Sequence, residues 1–312
     1  MDGHPTNKSG EKSTGADKGE SRYTQHPWRA LLVILGILPV CYGLVGLVLY
    51  GILRLPMDIS NMESFSTITL FTVGSFLAYL LAPFFLHIPK GKRTFREYLD
   101  DIRLTRVRPF FRLLLLTLSC DLILILCQGT GSIVYRLSEG NPLTLEFIYR
   151  VFDLSVALPP KSVLLFAVFY SMFEEVAFRG VFLTMLLENK YSQRKAIIYS
   201  AIAFGVAHLP AVFAGQALVH TLGQVVWAFL FALFYGYLFI KSGSLLPPMI
   251  IHWLSNVFQA PLTAYWQTAP AAVDAMYGVV CYGLAAFLLI LWVRFFAARW
   301  LSEPKYGLGL TD

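Results

Sequence analysis

The chain has 312 residues, of which 56% are hydrophobic and 14% charged, against about 45–50% apolar and about 25% charged residues in soluble domains. With a mean hydropathy of +0.61, this excludes a soluble globular enzyme and reads as an all-α polytopic membrane helix bundle whose first partner is the lipid bilayer. The net charge of +6 is then a matter of topology, and no nucleic-acid partner is expected.

In chain order, residues 1–26 are rich in Lys, Gly, Ser and Thr without apolar periodicity, and read as a disordered cytosolic tail. The first apolar run is too long for a signal peptide. Residues 27–300 form the membrane domain, with a motif core at 162–260, and 301–312 form a short cytosolic tail. Apolar runs of about 20 residues, each able to cross roughly 30 Å of hydrocarbon, predict about eight transmembrane helices. They lie at 28–53, 66–87, 110–135, 162–187, 195–213, 221–240, 245–260 and 276–296.

The second connection carries Lys90, Lys92, Arg93, Arg96, Arg103, Arg106 and Arg108, so it is expected in the cytosol. Alternation from there puts both termini inside, with Lys190, Arg194, Lys195, Lys241 and Arg299 on the same side. The opposite side is sparse, holding Arg54, Arg136, Arg150 and Lys161, with no Lys or Arg at 209–220 or 261–275. A short chain without a targeting segment leads us to expect a prokaryotic plasma membrane. Cys41, Cys120, Cys127 and Cys281 sit in apolar runs and read as packing residues without zinc-site spacing.

The fourth predicted span contains FEEVAFRG. An ionisable group at bilayer depth costs about 2.5–3.5 kcal/mol even on the lenient insertion scale, so such groups are functional candidates by default. Glu175 and Arg179, four apart, share a helix face and can pair. Glu174, about 100° away, faces elsewhere. Phe204 and His208 are four apart in the fifth span, as are His252 and Asn256 in the seventh, which Pro247 and Pro248 mark as starting close by.

Polar groups at comparable depth on three helices imply a water-accessible cavity, which supports two chemistries. A glutamate and a histidine can activate water while a second histidine and an asparagine stabilise an oxyanion. Alternatively, Glu174, His208 and His252 can hold a divalent metal such as zinc. Asp121, His87 and His220 belong to none of these blocks.

Together, Glu174-Glu175-x-x-x-Arg179, Phe204-x-x-x-His208 and His252-x-x-x-Asn256 resemble the signature of the CPBP family. These are intramembrane proteases related to type II CAAX prenyl endopeptidases, also called the Abi family. The resemblance implies an intramembrane endopeptidase acting on a membrane-associated peptide or a lipidated, for example prenylated, protein. By this resemblance Glu174 and His208 activate water, His252 and Asn256 stabilise the oxyanion, Glu175 and Arg179 support the site, and Phe204 packs beside it. The family has been described as metal-dependent and as a metal-free glutamate peptidase. The absence of an HExxH helix favours the metal-free form, with no cofactor expected. The alternatives are a catalytically silent scaffold or immunity protein of the same fold, and a transporter, which would show paired broken helices in two halves.

Overall fold

The computed structural model describes residues 25–56, 64–157, 168–267 and 269–301, and among these it contains helices and no strands. The long helices are α1 (Pro27–Ile52), α2 (Phe65–Phe85), α4 (Phe110–Ser138), α8 (Leu218–Ser242), α9 (Leu246–Gln267) and α10 (Ala271–Trp300). Two short ones, α3 (Phe95–Asp101) and α5 (Leu145–Val151), lie in the connections. Helix α6 runs over 171–188, and α7 (Gln193–Val206) continues into a 3₁₀ turn, Leu209–Ala214.

Six of the described helices are long and apolar enough to cross a membrane: α1, α2, α4, α7 with its 3₁₀ extension, α8 and α10. They coincide with six of the eight predicted spans. Among the described residues the fourth and seventh, α6 and α9, do not qualify on apolarity; the predicted fourth span begins at residue 162, outside the described residues. The reason is chemical: α6 carries Glu174, Glu175, Arg179 and Glu188, while α9 carries three prolines, His252, Asn256 and Gln259. All three motifs involve α6, α9 or the end of α7.

The molecule is built around α6, in which every residue from 175 to 187 is buried. Protein surrounds Glu175 and Arg179 completely, as the cost of exposing them to hydrocarbon requires. One apolar core unites α1, α2, α6 and α7, including Ile34, Tyr79, Phe182 and Phe204. A second unites α4, α8, α9 and α10 around Leu116, Phe234, Ile251 and Leu289. Helix α8 bridges them, giving Ala228 and Ala232 to the first and Phe231 and Tyr235 to the second.

Helix α4 shows the inversion that lipid imposes. Leu114, Leu118, Leu122 and Leu126 are exposed at four-residue spacing, whereas Thr117, Asp121, Gln128 and Ser132 are buried. Thr117 bonds back to the Leu113 carbonyl at 2.8 Å and Ser132 donates to the Leu262 carbonyl of α9 at 2.5 Å. Each bond gives a buried hydroxyl a carbonyl partner, which offsets the cost of taking it out of water. Cys41, Cys120 and Cys281 are buried and, like Cys127, free thiols.

The basic second connection is folded onto the helix ends. Thr94 and Glu97 form a reciprocal cap at the start of α3, a pattern written as T-x-x-E in the sequence. Lys90 pairs with Asp101 at 3.2 Å and with Glu188 of α6 at 3.0 Å. Partial burial acts to lower the Lys90 pKa, but these carboxylates outweigh it and hold the group above its ordinary value. The Leu245 amide, at the entry to α9, donates to the Arg103 carbonyl at 3.1 Å, and Arg112 of α4 donates to the Trp300 carbonyl at 2.7 Å.

Close approach of α7 and α8 depends on Gly205. A Cβ there would stand 2.8 Å from the Val225 carbonyl oxygen and 3.2 Å from the Phe229 Cβ. Gly205→Val is therefore expected to cost about 1–3 kcal/mol by overpacking and to displace His208 with it. The reactivity of the buried thiols during heating in detergent reads this out. Gly43→Val, where a Cβ meets nothing within 4 Å, serves as the control, and equal melting of the two variants would contradict the packing argument.

Candidate active site

The site is assembled behind α6 first. Past Glu175 the helix widens into π geometry over Val176–Leu183, a feature common at functional sites. Arg179 Nη1 donates to Glu175 Oε1 at 2.8 Å, with both side chains fully buried. The predicted i,i+4 pair therefore exists. His252 of α9 places Nδ1 2.8 Å from the same oxygen, and an ionised carboxylate can only accept, so Nδ1 carries the proton.

Arg179 uses one nitrogen for this bond, and among the described residues its Nε and Nη2 have no hydrogen-bond partner. Their environment is aromatic: the guanidinium lies 4.5 Å from the ring centroid of Phe204 and 5.3 Å from that of Tyr235. A desolvated cation over such faces gains about 2 kcal/mol or more. Tyr235 also stacks on His252, with centroids 5.2 Å apart and planes at 27°. Ser255 donates to the His252 carbonyl at 2.8 Å and sits 3.4 Å from the Tyr235 hydroxyl.

His208 lies just beyond the last residue of α7, where Pro210 prevents the α-helix from continuing. Its Nδ1 is 2.9 Å from the Phe204 carbonyl. A carbonyl oxygen only accepts, so Nδ1 donates and Nε2 of the neutral ring keeps its lone pair. The Phe204 ring stands edge-on to both imidazoles, 4.9 Å from His208 and 5.7 Å from His252. It thus holds two histidines and an arginine at once, more than the packing role the motif implied.

Glu174, His208, His252 and Asn256 all line one cavity of about 360 Å³ at the seam between the two cores. Glu174 Oε2 is 3.8 Å from His252 Nε2. Glu175 and Arg179 stand behind this wall, outside the lining, while Phe204 forms part of it. The structure thus brings all seven predicted residues together. It adds Tyr235, Ser255, Gln224 and Gln259, none of them singled out from the sequence. The α8 members, Gln224, Trp227, Ala228, Phe231 and Tyr235, recur at i, i+3, i+4, i+7 and i+11, so the signal was a helical stripe along one face.

The donor types at the site are those a divalent ion takes. Among the described residues, however, no group of three or more His, Cys, Asp or Glu side chains is arranged so that it could hold a metal ion. Both Nδ1 atoms are already engaged. Asp121 is buried on α4, outside the cavity lining, and His220 pairs with Asp274 at 2.5 Å, tying the start of α8 to the start of α10.

A comparison with protein-family models matches residues 157–258 to the type II CAAX prenyl endopeptidase Rce1-like family. No curated protein matches the chain. The matched stretch contains Glu174, Glu175, Arg179, Phe204, His208, His252 and Asn256. The stretch that supplies all seven residues is thus similar to the type II CAAX prenyl endopeptidases of the Rce1-like family.

Proposed function

We propose that the protein is an intramembrane endopeptidase that hydrolyses a peptide bond of a membrane-associated substrate with water activated by Glu174 and His208. The observation that carries this reading is the convergence of Glu174, His208, His252 and Asn256 on one cavity. On this reading α6 and α9 cross the membrane as the fourth and seventh of eight spans, shielded by their neighbours, and both termini lie with the basic connection in the cytosol.

The chemistry follows from the tautomers. The lone pair on His208 Nε2 and the Glu174 carboxylate take a proton from water as its oxygen attacks the substrate carbonyl carbon. The resulting oxyanion accepts hydrogen bonds from the Asn256 amide and from His252 Nε2–H. With Nδ1–H held on Glu175, the His252 ring is then an imidazolium, and the Glu175 carboxylate supplies its counter-charge. Arg179 in turn balances Glu175. The proton taken from water passes to the amine nitrogen, the C–N bond breaks to give a carboxylic acid and an amine, and the acid's proton then moves to the amine, so that a carboxylate and an ammonium leave.

This mechanism needs no metal, which makes chelation its sharpest test. Activity of the purified enzyme is expected to survive exhaustive treatment with a membrane-compatible chelator, with elemental analysis run alongside. About one metal per chain that tracks activity on removal and return would replace the water-activation step with metal chemistry, leaving the peptidase standing.

A further inference from the structure

We infer that Tyr235 of α8 is a positioning residue for the proposed reaction: its ring lies along the face of His252 and holds the imidazole plane, so that Nε2 stays aimed at the place where the oxyanion forms. The effect on rate rests on the peptidase reading, whereas the orientation of the ring can be measured without it.

The hydrogen bonds to His252 leave one motion of its ring weakly checked. Glu175 Oε1 holds Nδ1 at 2.8 Å, and Ser255 Oγ holds the backbone carbonyl at 2.8 Å. A hydrogen bond tolerates a broad range of angles, so the imidazole can tilt out of its plane without losing Glu175, and Nε2 moves with it. A misplacement of about 1 Å at a reacting centre can cost about 10²-fold in rate. A contact on the face of the ring removes that tilt.

Tyr235 supplies this contact. Its centroid lies 5.2 Å from that of His252 with the planes at 27°, within the range of stacked aromatic pairs. Phe204 meets the same imidazole steeply, at 76°, and does not fix its plane in this way. Tyr235 is itself held: it is buried, its hydroxyl lies 3.4 Å from Ser255 Oγ, and Phe231 packs against it at 82° with centroids 5.1 Å apart.

The Arg179 guanidinium stands 5.3 Å from the centroid of the same ring, so Tyr235 bears on both cations that flank Glu175 in the proposed mechanism. An aromatic face attracts a cation, and the stack therefore also favours the imidazolium that donates from Nε2. With Nδ1, the carbonyl and the ring face all held, Nε2 is left towards the cavity, 3.8 Å from Glu174 Oε2. Phe234, one residue earlier, offers a comparison within the fold. It is fully buried and packs on Tyr235 with centroids 5.2 Å apart, yet it lies outside the cavity lining.

The test compares Tyr235→Phe, Tyr235→Leu and Phe234→Leu with the parent, purified in detergent with the histidines isotope-labelled at Cε1 for magnetic resonance. Loss of one signal in His252→Asn identifies the His252 resonance. That resonance is expected to keep its position in Tyr235→Phe and Phe234→Leu, and to move in Tyr235→Leu as the current of the stacked ring is lost. With a membrane-tethered reporter, Tyr235→Leu is expected to lower kcat by about 10–100-fold, less than the 10²–10³-fold of removing an oxyanion donor outright. KM should stay within about twofold, since the interaction serves the transition state and not substrate binding. Tyr235→Phe and Phe234→Leu should retain the parent's kcat. Where Tyr235→Leu does not fold, Tyr235→Met, whose unbranched chain adapts to irregular gaps, replaces it in both measurements. An unmoved His252 resonance in the truncated variant, a loss carried by KM, or an equal loss of kcat in Phe234→Leu would overturn the inference. A parent that cuts no reporter fails the peptidase reading, and the resonance then decides by itself whether Tyr235 orients His252.

Discussion

Glu174→Gln and His208→Ala are each expected to lower cleavage of a membrane-tethered reporter by about 10²–10⁴-fold, the usual range for loss of a proton-transferring group. The glutamine variant keeps the shape of the side chain and removes only its basicity, so the cavity wall stays filled. His208 lies at a helix end and is only part-buried, so truncation there leaves the bundle intact. Purified protein in detergent, assayed beside an unfolding measurement, separates lost chemistry from lost fold. A folded variant retaining activity within about tenfold of the parent, well short of that range, would remove Glu174 or His208 from the mechanism.

Arg179→Ala is expected to be the most destabilising single change in the site. Its guanidinium is fully buried against Glu175, and removing one partner of such a pair costs about 3–5 kcal/mol, because a carboxylate is left in a low-dielectric interior without compensation. The same truncation empties the space between Phe204 and Tyr235. Replacing both members, as Glu175→Gln with Arg179→Met, removes the stranded charge and is expected to recover much of the stability. Activity should remain low, since His252 then lacks its anionic partner. Detergent unfolding followed through the buried thiols compares the two variants. A double variant no more stable than Arg179→Ala alone would show that packing, not charge balance, dominates here.

The motif residues were legible because they contrast with their surroundings. A glutamate or histidine in an apolar run is visible, and four-residue spacing assigns it to a helix face. Six spans were legible for a related reason, since length and apolarity coincide in them. Tyr235 was not, because an aromatic residue in α8 has no contrast with its neighbours and a helical stripe of aromatics reads as core, while Gln224 contrasts with Val225 and Val226 but belongs to none of the three spaced blocks. Only folding shows that this face covers His252 and Arg179. The tautomer of His208 also depends on where the Phe204 carbonyl points, which spacing alone does not tell. Helices α3 and α5 were missed because runs of about 20 residues were sought, although T-x-x-E at Thr94 was on the page.

The pairing of Glu175 with Arg179 inside a single helix has a consequence for biogenesis. Helix α6 is synthesised before α9, so His252 is absent when α6 first meets the membrane. A partner supplied from the same helix, one turn away, neutralises the charge during that interval without waiting for tertiary structure. Glu174 has no such local partner, and its cost is deferred until the histidines arrive. Insertion of α6 is therefore provisional, held by its internal pair and by the earlier spans, and is completed when α9 enters beside it. Chains truncated before α9 should consequently be handled by the cell as unfinished membrane proteins, even though most of their spans are already in place.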